Sequence, residues 1–222
     1  MQGPSEGAVQ VKICGVTSAQ AVHAAVQAGA RYIGINFFPP SPRYLDYDTA
    51  RALMLDVPFG VAKVALVVDA DDTTLSEMLA RVPADFLQLH GHETPALVAE
   101  IRARFGLPVI KAVGISEPDD LALMESYLPV ADQILVDAKP PKGAELPGGN
   151  GLAFDWRLMQ GRDWPKPWLL AGGLVPANVA QAVALTGARQ VDVSSGVETA
   201  PGVKDPQMMR AFVKAACNPI AG

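Results

Sequence analysis

A thiol stands at the end of the first apolar run of the sequence, where Val9–Ile13 is followed directly by Cys14. Side chains alternate between the two faces of a strand, so Lys12 and Cys14 share one face and Val11 and Ile13 the other. A nearby ammonium group favours the thiolate, and a thiolate is a competent base. Cys14 is therefore a candidate general base, with an inert buried thiol as the alternative.

A carboxyl group ends another apolar run, because Asp137 follows Gln133–Val136. A carboxylic acid in a partly apolar pocket has a raised pKa and can donate a proton. An acid and a base work at the same pH when their surroundings push their pKa values apart. Cys14 and Asp137 are thus a candidate catalytic pair, and the alternative for Asp137 is to cap the following helix.

Two loops near the end of the chain have the composition of a phosphate site. Ala171-Gly172-Gly173-Leu174 and Val193-Ser194-Ser195-Gly196-Val197 each end an apolar run. Small residues let backbone N–H groups approach phosphate oxygens, and serine hydroxyls add donors. Glycines that only form tight turns would give the same pattern. The residues predicted to bind phosphate are Gly172, Gly173, Ser194, Ser195 and Gly196.

Three further side chains, Arg43, His90 and Asp192, are candidates for substrate contact. The guanidinium of Arg43 can hold a carboxylate through two hydrogen bonds, unless it is a solvated loop residue. His90 and His92 alternate, but no third residue has the spacing of a metal ligand. We therefore predict no bound metal.

Short β-rich runs alternate with alanine-rich segments of helical spacing along the whole chain. The predicted strands are Val9–Ile13, Tyr32–Asn36, Val61–Val68, Phe86–Leu89, Val109–Ala112, Gln133–Val136, Trp168–Ala171 and Gln190–Val193. The predicted helices are Ser18–Ala28, Asp48–Leu55, Thr73–Ala80, Thr94–Phe105, Pro118–Tyr127, Pro176–Leu185 and Pro206–Ala216, with a short helical piece at Phe154–Met159.

This alternation over 222 residues predicts an α/β protein with one domain, a single (β/α)8 TIM barrel. An open doubly wound sheet is the main alternative. It usually has a glycine-rich phosphate loop after its first strand, and Cys14-Gly15-Val16-Thr17 is not such a loop. In a barrel the outer face of each strand meets helices and the active site forms at the carboxyl ends. Cys14, His90, Asp137 and Asp192 all fall on inner-face positions at strand ends.

The bulk composition excludes several classes of protein. A formal net charge of −5 and the lack of any basic run argue against a nucleic-acid or anionic-membrane partner. No apolar run is long enough to span a bilayer, and the first residues lack the order of a signal peptide. The two cysteines show no disulfide or metal spacing. We expect a cytoplasmic monomer or homodimer, with residues 1–8 as a flexible N-terminal extension.

The sequence resembles the phosphoribosylanthranilate isomerase family, the barrel enzymes of tryptophan biosynthesis. The segments that carry the resemblance follow the family's order over essentially the whole domain. They are Lys12-Ile13-Cys14-Gly15, Ser41-Pro42-Arg43-Tyr44, Gln88-Leu89-His90-Gly91, Ile110-Lys111-Ala112, Val136-Asp137, Phe154-Asp155-Trp156, Ala171-Gly172-Gly173-Leu174, Val191-Asp192-Val193-Ser194-Ser195-Gly196-Val197-Glu198 and Pro201-Gly202-Val203-Lys204-Asp205.

The resemblance implies an Amadori rearrangement of N-(5-phosphoribosyl)anthranilate, a small phosphorylated substrate, without a cofactor. It implies Cys14 as general base, Asp137 as general acid and Arg43 near the anthranilate carboxylate. It also implies phosphate contacts from the two glycine-containing loops, and Asp192 is placed to bind a ribose hydroxyl. Three alternatives are open: a histidine-pathway aminoaldose isomerase, a metal-dependent epimerase, and a phosphate-binding barrel without catalytic activity.

Overall fold

The computed structural model describes residues 9–139, 148 and 151–218, and its centre is a closed barrel of eight parallel strands. The strands pair in chain order, and β8 returns to β1 in a register that sets Asp192 beside Lys12. The predicted fold class is confirmed. The strands are β1 (Gln10–Cys14), β2 (Tyr32–Asn36), β3 (Ala62–Val67), β4 (Phe86–Leu89), β5 (Val109–Ile115), β6 (Gln133–Ala138), β7 (Trp168–Leu170) and β8 (Gln190–Val193).

Seven α-helices surround the barrel in the described part of the chain. Between β6 and β7 the described residues form only a 3₁₀ helix, Trp156–Met159, within the segment where a short helical piece is predicted. The α-helices are α1 (Ala19–Ala28), α2 (Tyr47–Leu55), α3 (Asp72–Arg81), α4 (Pro95–Phe105), α5 (Asp120–Tyr127), α6 (Val179–Thr186) and α7 (Pro206–Cys217).

Side-chain caps begin several of these helices. The Ser18 hydroxyl accepts a hydrogen bond from the first turn of α1, and the Thr94 hydroxyl does the same for α4. Helix α3 begins one residue earlier than predicted, because Asp71 rather than Thr73 caps it. Asp71 therefore has a structural role as a helix cap, which the acidic composition of this turn (Asp69, Asp71 and Asp72) does not by itself indicate.

The strands separate two apolar regions, as their alternation predicts. Outer-face residues such as Leu87, Leu89, Ile134 and Val136 pack in one large cluster with the helices. The barrel interior is filled by a smaller cluster: Tyr32, Val64, Ile110, Ala112, Leu135, Leu169 and Ala171. Because apolar side chains fill the interior, polar inner-face residues such as Asp137 and Asp192 lie at the carboxyl ends of the strands, where a pocket can form.

A β-hairpin that the sequence analysis did not predict follows β8. It consists of β9 (Glu198–Ala200) and β10 (Val203–Lys204), which pair antiparallel. The hairpin contacts the barrel mouth, because the Thr17 hydroxyl donates a 2.7 Å hydrogen bond to the carbonyl of Gly202. It thereby adds charged side chains to the end of the barrel that carries the predicted site.

Residues 1–8, the predicted N-terminal extension, lie outside the described residues, and the assignment of the whole chain to one domain stays a prediction. Among the described residues, no helix has both the length and the apolar character needed to cross a membrane.

Candidate active site

All ten predicted site residues line one cavity at the carboxyl ends of the strands. The cavity encloses about 850 Å³, part of it open to solvent. Its lining includes Cys14 from β1, His90 after β4, Asp137 from β6 and Asp192 from β8. Arg43 and the five loop residues Gly172, Gly173, Ser194, Ser195 and Gly196 complete the predicted set.

The thiol of Cys14 lies beside a buried ion pair on the inner face of the barrel. The ammonium of Lys12 is fully buried and donates a 2.8 Å hydrogen bond to Asp192 Oδ1. Gly34 on β2 makes room for both side chains, since a Cβ there would lie 2.9 Å from Cys14 Sγ and 3.3 Å from Lys12 Cε. Strand alternation predicts Lys12 near the thiol, but no pattern in the sequence indicates that Asp192 is its partner.

Burial raises the pKa of Cys14 above the ordinary thiol value, and the charge of Lys12 lowers it only in part. Asp192 adds to the increase because its negative charge opposes the thiolate. Burial is the largest single effect on Lys12 and lowers its pKa, but the charges and hydrogen bonds of Asp192 and Cys14 together outweigh it, so the lysine pKa is raised. The expected thiolate is therefore not the resting form of this site, because desolvation exceeds the attraction of the ammonium.

Asp137 is held on the opposite side of the cavity by its own strand and by a histidine. Its Oδ1 accepts a 2.8 Å hydrogen bond from the backbone N–H of Ala138, and its Oδ2 lies 3.5 Å from His90 Nε2. Gln88 Nε2 lies 3.0 Å from His90 Nδ1. With the amide donating to Nδ1, the ring proton stands on Nε2 and faces the carboxyl of Asp137.

A glycine of the loop after β6 closes over this carboxyl. A Cβ on Gly148 would lie 2.6 Å from His90 Nε2 and 2.9 Å from Asp137 Oδ2. A side chain at this position would therefore have to displace the His90 ring or the Asp137 carboxyl. His90 thus lies beside both this glycine and Asp137, whereas the sequence indicates it only as a separate substrate contact.

The guanidinium of Arg43 already forms a bidentate ion pair in this structure. Its Nε and Nη2 donate hydrogen bonds of 2.8 and 2.7 Å to the two oxygens of Glu198 on β9. This pairing raises the pKa of Arg43 above its ordinary value. Nη1 takes no part in the pair, so the arginine retains donors for a second anion at the cavity that it lines.

The two predicted phosphate loops differ in how they are built. Gly172 and Gly173 have left-handed φ angles of +79° and +62°, and a Cβ on either would lie within 2.7 Å of a backbone nitrogen. These positions therefore require glycine. The Ser194 hydroxyl is engaged differently from the prediction, since it donates a 3.0 Å hydrogen bond to the carbonyl of Cys14. Ser195 and Gly196 lie in a short 3₁₀ helix, Ser195–Val197.

Sequence reasoning assigned no role to Glu198 or Lys204, which face each other across the hairpin at 2.6 Å. Their positions in the sequence could have indicated this contact, because two opposite charges flank the turn that follows the phosphate-type loop. In the described segments (9–139, 148 and 151–218) no group of three or more potential ligands is arranged to hold a metal ion.

The fold and this cavity define a (β/α)8-barrel enzyme with its pocket at the carboxyl ends of the strands. The family model described as N-(5'phosphoribosyl)anthranilate (PRA) isomerase matches residues 11–215. The isomerase of Paracoccus denitrificans is 62% identical over 213 residues, covering 96% of this chain and 99% of that protein. The enzyme of Cereibacter sphaeroides is 60% identical over 208 residues, 94% of this chain and 98% of that one.

Solved structures agree with these sequence relatives. The phosphoribosyl anthranilate isomerase of Thermotoga maritima superposes with a TM-score of 0.85 at 36% identity, covering 94% of this chain and 98% of that one. A further isomerase structure, in complex with reduced 1-(o-carboxyphenylamino)-1-deoxyribulose 5-phosphate, has a TM-score of 0.82 at 34% identity and the same coverage. The chain belongs to the N-(5'-phosphoribosyl)anthranilate isomerase family. It is an isomerase of tryptophan biosynthesis, and the predicted family and enzyme class are confirmed.

Proposed function

We propose that the chain converts N-(5'-phosphoribosyl)anthranilate to 1-(2-carboxyphenylamino)-1-deoxyribulose 5-phosphate, with Cys14 as the general base and Asp137 as the general acid. The observation that carries this assignment is their arrangement. One cavity is lined by a thiol from β1, a carboxyl from β6 and both phosphate-type loops. Strands 1 and 6 stand well apart around the barrel, so the two groups approach a bound substrate from different sides.

The reaction begins when the carboxyl of Asp137 donates its proton to the ring oxygen of the ribose. The C1–O bond breaks, and the nitrogen lone pair forms an iminium at C1. Cys14, as the thiolate, then removes the proton from C2, and the electron pair neutralises the iminium to give an enolamine. The enolamine tautomerises to the ketone. Each proton transfer by a positioned group typically contributes about 10²- to 10⁴-fold to the rate.

The neutral resting thiol is compatible with this role if the proton is lost when the substrate binds or as the pH rises. Lys12 supports that loss, because its charge favours the thiolate. Substrate hydroxyls that bind Asp192 would compete for its carboxylate and leave more of the ammonium's field for the thiol. Asp192 is thus proposed both to bind a ribose hydroxyl and to modulate the base.

The remaining contacts hold the two anionic ends of the substrate. The donors of Arg43 that Glu198 does not occupy bind the anthranilate carboxylate, and His90 contacts the substrate beside Asp137. Gly172, Gly173, Ser194, Ser195 and Gly196 surround the phosphate with backbone N–H groups and hydroxyls. Fixing both ends places C1 and C2 between the acid and the base.

Turnover of freshly generated N-(5'-phosphoribosyl)anthranilate, followed by its fluorescence, tests the assignment of Cys14 and Asp137. Cys14→Ala and Asp137→Asn should each lower kcat by about 10²- to 10⁴-fold with little change in KM. Near-normal kcat in either variant would remove the role given to that residue. A circular-dichroism spectrum of each variant confirms that the barrel has formed.

A cytoplasmic location is proposed on two observations: the biosynthetic family to which the chain belongs, and two cysteines that are both free thiols. A monomer or a homodimer is proposed as the assembly, and one structural relative is described as monomers generated from a dimeric isomerase. Sedimentation equilibrium decides between these two forms.

A further inference from the structure

The hairpin β9–β10 places a buried carboxylate among three donor nitrogen atoms that belong to two basic side chains. Glu198 accepts hydrogen bonds from Arg43 Nε at 2.8 Å, Arg43 Nη2 at 2.7 Å and Lys204 Nζ at 2.6 Å. All three side chains are at most 7% exposed. Burial alone would raise the pKa of Glu198, but the hydrogen bonds and charges of its two partners lower it. The carboxylate is therefore ionised in the folded protein.

The same lysine connects this cluster to the loop after β8. Lys204 Nζ donates to the Ser194 carbonyl at 3.0 Å and lies 3.2 Å from the Ser194 hydroxyl. That hydroxyl in turn donates to the carbonyl of Cys14. A continuous series of hydrogen bonds thus runs from the Arg43 guanidinium to the start of the phosphate-type loop and to the strand that bears the thiol.

We propose that Glu198 and Lys204 are positioning residues that hold Arg43 at a fixed separation from the loop after β8, so that the enzyme selects substrates with a carboxylate as well as a phosphate. Glu198 orients the guanidinium by binding one of its edges, which leaves the other donors ready for a second anion. An arginine held in advance does not lose its rotamer freedom again when the substrate binds. This inference rests on the proposed role of Arg43 as the carboxylate-binding residue.

The substitution Glu198→Gln is the sharpest test, because the amide has nearly the same size as the carboxylate but carries no charge. Three donors converge on the two oxygens of Glu198, whereas an amide offers one oxygen and an NH2 group that is itself a donor. At least one donor of Arg43 or Lys204 must then turn away. Glu198→Asp keeps the charge with a shorter reach and serves as the conservative variant.

The experiment compares two substrates, N-(5'-phosphoribosyl)anthranilate and the corresponding aniline compound without the carboxylate, both followed by phosphorus NMR. The measured quantity is the ratio of their kcat/KM values. We expect Glu198→Gln to lower this ratio about 10- to 100-fold, through a higher KM for the anthranilate substrate. Glu198→Asp should retain more of the ratio. Lys204→Met should also lower the ratio, because Lys204 holds Glu198, and it should in addition weaken the binding of both substrates, because the lysine contacts the phosphate-type loop.

Arg43→Ala separates the failure of this proposal from the failure of its basis. If Arg43→Ala leaves the ratio unchanged, Arg43 does not bind the carboxylate. If Arg43→Ala removes the preference for the anthranilate substrate but both Glu198 variants keep it, the positioning role alone is wrong. An equal loss for both substrates in Glu198→Gln would show a structural role instead. In the double variant Arg43→Ala with Glu198→Gln, the change at Glu198 should have no further effect on the ratio, because Glu198 acts through the arginine.

Discussion

Two buried lysines on opposite faces of the barrel sheet allow a direct test of how the candidate base is tuned. Lys12 is on the inner face, beside Cys14, and its ammonium pairs with Asp192 at 2.8 Å. Lys111 is on the outer face of β5, and its ammonium pairs with Glu93 at 2.6 Å. The two lysine side chains are 0% and 2% exposed. Lys12→Met and Lys111→Met therefore each remove a buried ammonium from its carboxylate, although Lys111 also donates to the carbonyls of Leu89 and Gly91.

Both variants should lose similar stability, because each leaves a carboxylate buried without its cation. Breaking a buried pair in this way costs about 3–5 kcal/mol. For a chain of this size, that corresponds to a decrease in Tm of about 6–20 °C. Replacing the carboxylate as well, in Lys12→Met with Asp192→Asn, should recover part of the loss because the uncompensated charge is gone. Urea denaturation and calorimetry measure these differences.

Only Lys12→Met should alter the pH dependence of catalysis. The proposed base acts as a thiolate, and the pKa of Cys14 is already raised by burial. Removing the ammonium raises this pKa further, so the rising limb of kcat/KM against pH should move to higher pH. The rate of thiol alkylation by iodoacetamide should move in the same direction. Lys111→Met should leave both profiles where they are in the wild type.

An unchanged profile for Lys12→Met would refute the reasoning, because it would mean that the ammonium does not govern the reacting thiol. The same shift in Lys111→Met would also refute it, since a general loss of stability would then explain the result. A stability loss below about 1 kcal/mol in both variants would show that neither pair is as desolvated as the structure indicates.

Three further predictions concern close approaches and one ionised carboxylate. Gly34→Ala should lower kcat about 10- to 100-fold in steady-state assays, because the new Cβ would displace the thiol of Cys14; an unchanged kcat would contradict the packing. Gly148→Ala should have a similar effect through His90 and Asp137, and an unchanged kcat would show that the two side chains yield to the added methyl group. The pKa of Glu198 is lowered below its ordinary value of 4.5, so its ionised form stabilises the fold above that pH and the benefit is lost as the pH falls through the lower value. The difference in unfolding free energy between wild type and Glu198→Gln should therefore be full at neutral pH and shrink in acid.

Much of the fold follows from patterns within short stretches of the sequence. Each strand from Tyr32–Asn36 to Gln190–Val193 shows an apolar run, although β5 extends three residues beyond the predicted Ala112. The alternation of strands and helices leaves few architectures. The caps Ser18 and Thr94 mark helix starts for the same local reason. Where the prediction failed, as at the start of α3, the competing cap lay only two residues away.

The hairpin β9–β10 was missed because nothing in its five strand residues distinguishes it from a loop. Its strands have three and two residues, too short for alternation to be visible. Two contacts hold it in place: the backbone N–H of Asp205 donates to the Val197 carbonyl at the open end of the hairpin, and the Thr17 hydroxyl, 185 positions away in the sequence, donates to the carbonyl of Gly202 in its turn. Such a segment is stabilised by its position on the barrel rather than by its own propensity.

The sequence by itself determined the barrel, the strand ends and the identity of the side chains that face the cavity, because side-chain alternation and strand order are local or topological properties. Only the tertiary structure decided which charges meet. The pairing of Lys12 with Asp192 joins the first and last strands of the barrel, and that of Arg43 with Glu198 joins residues 155 positions apart. These partners also decide the direction of each pKa shift, since desolvation and Coulomb energy depend on distances in space that no local pattern encodes.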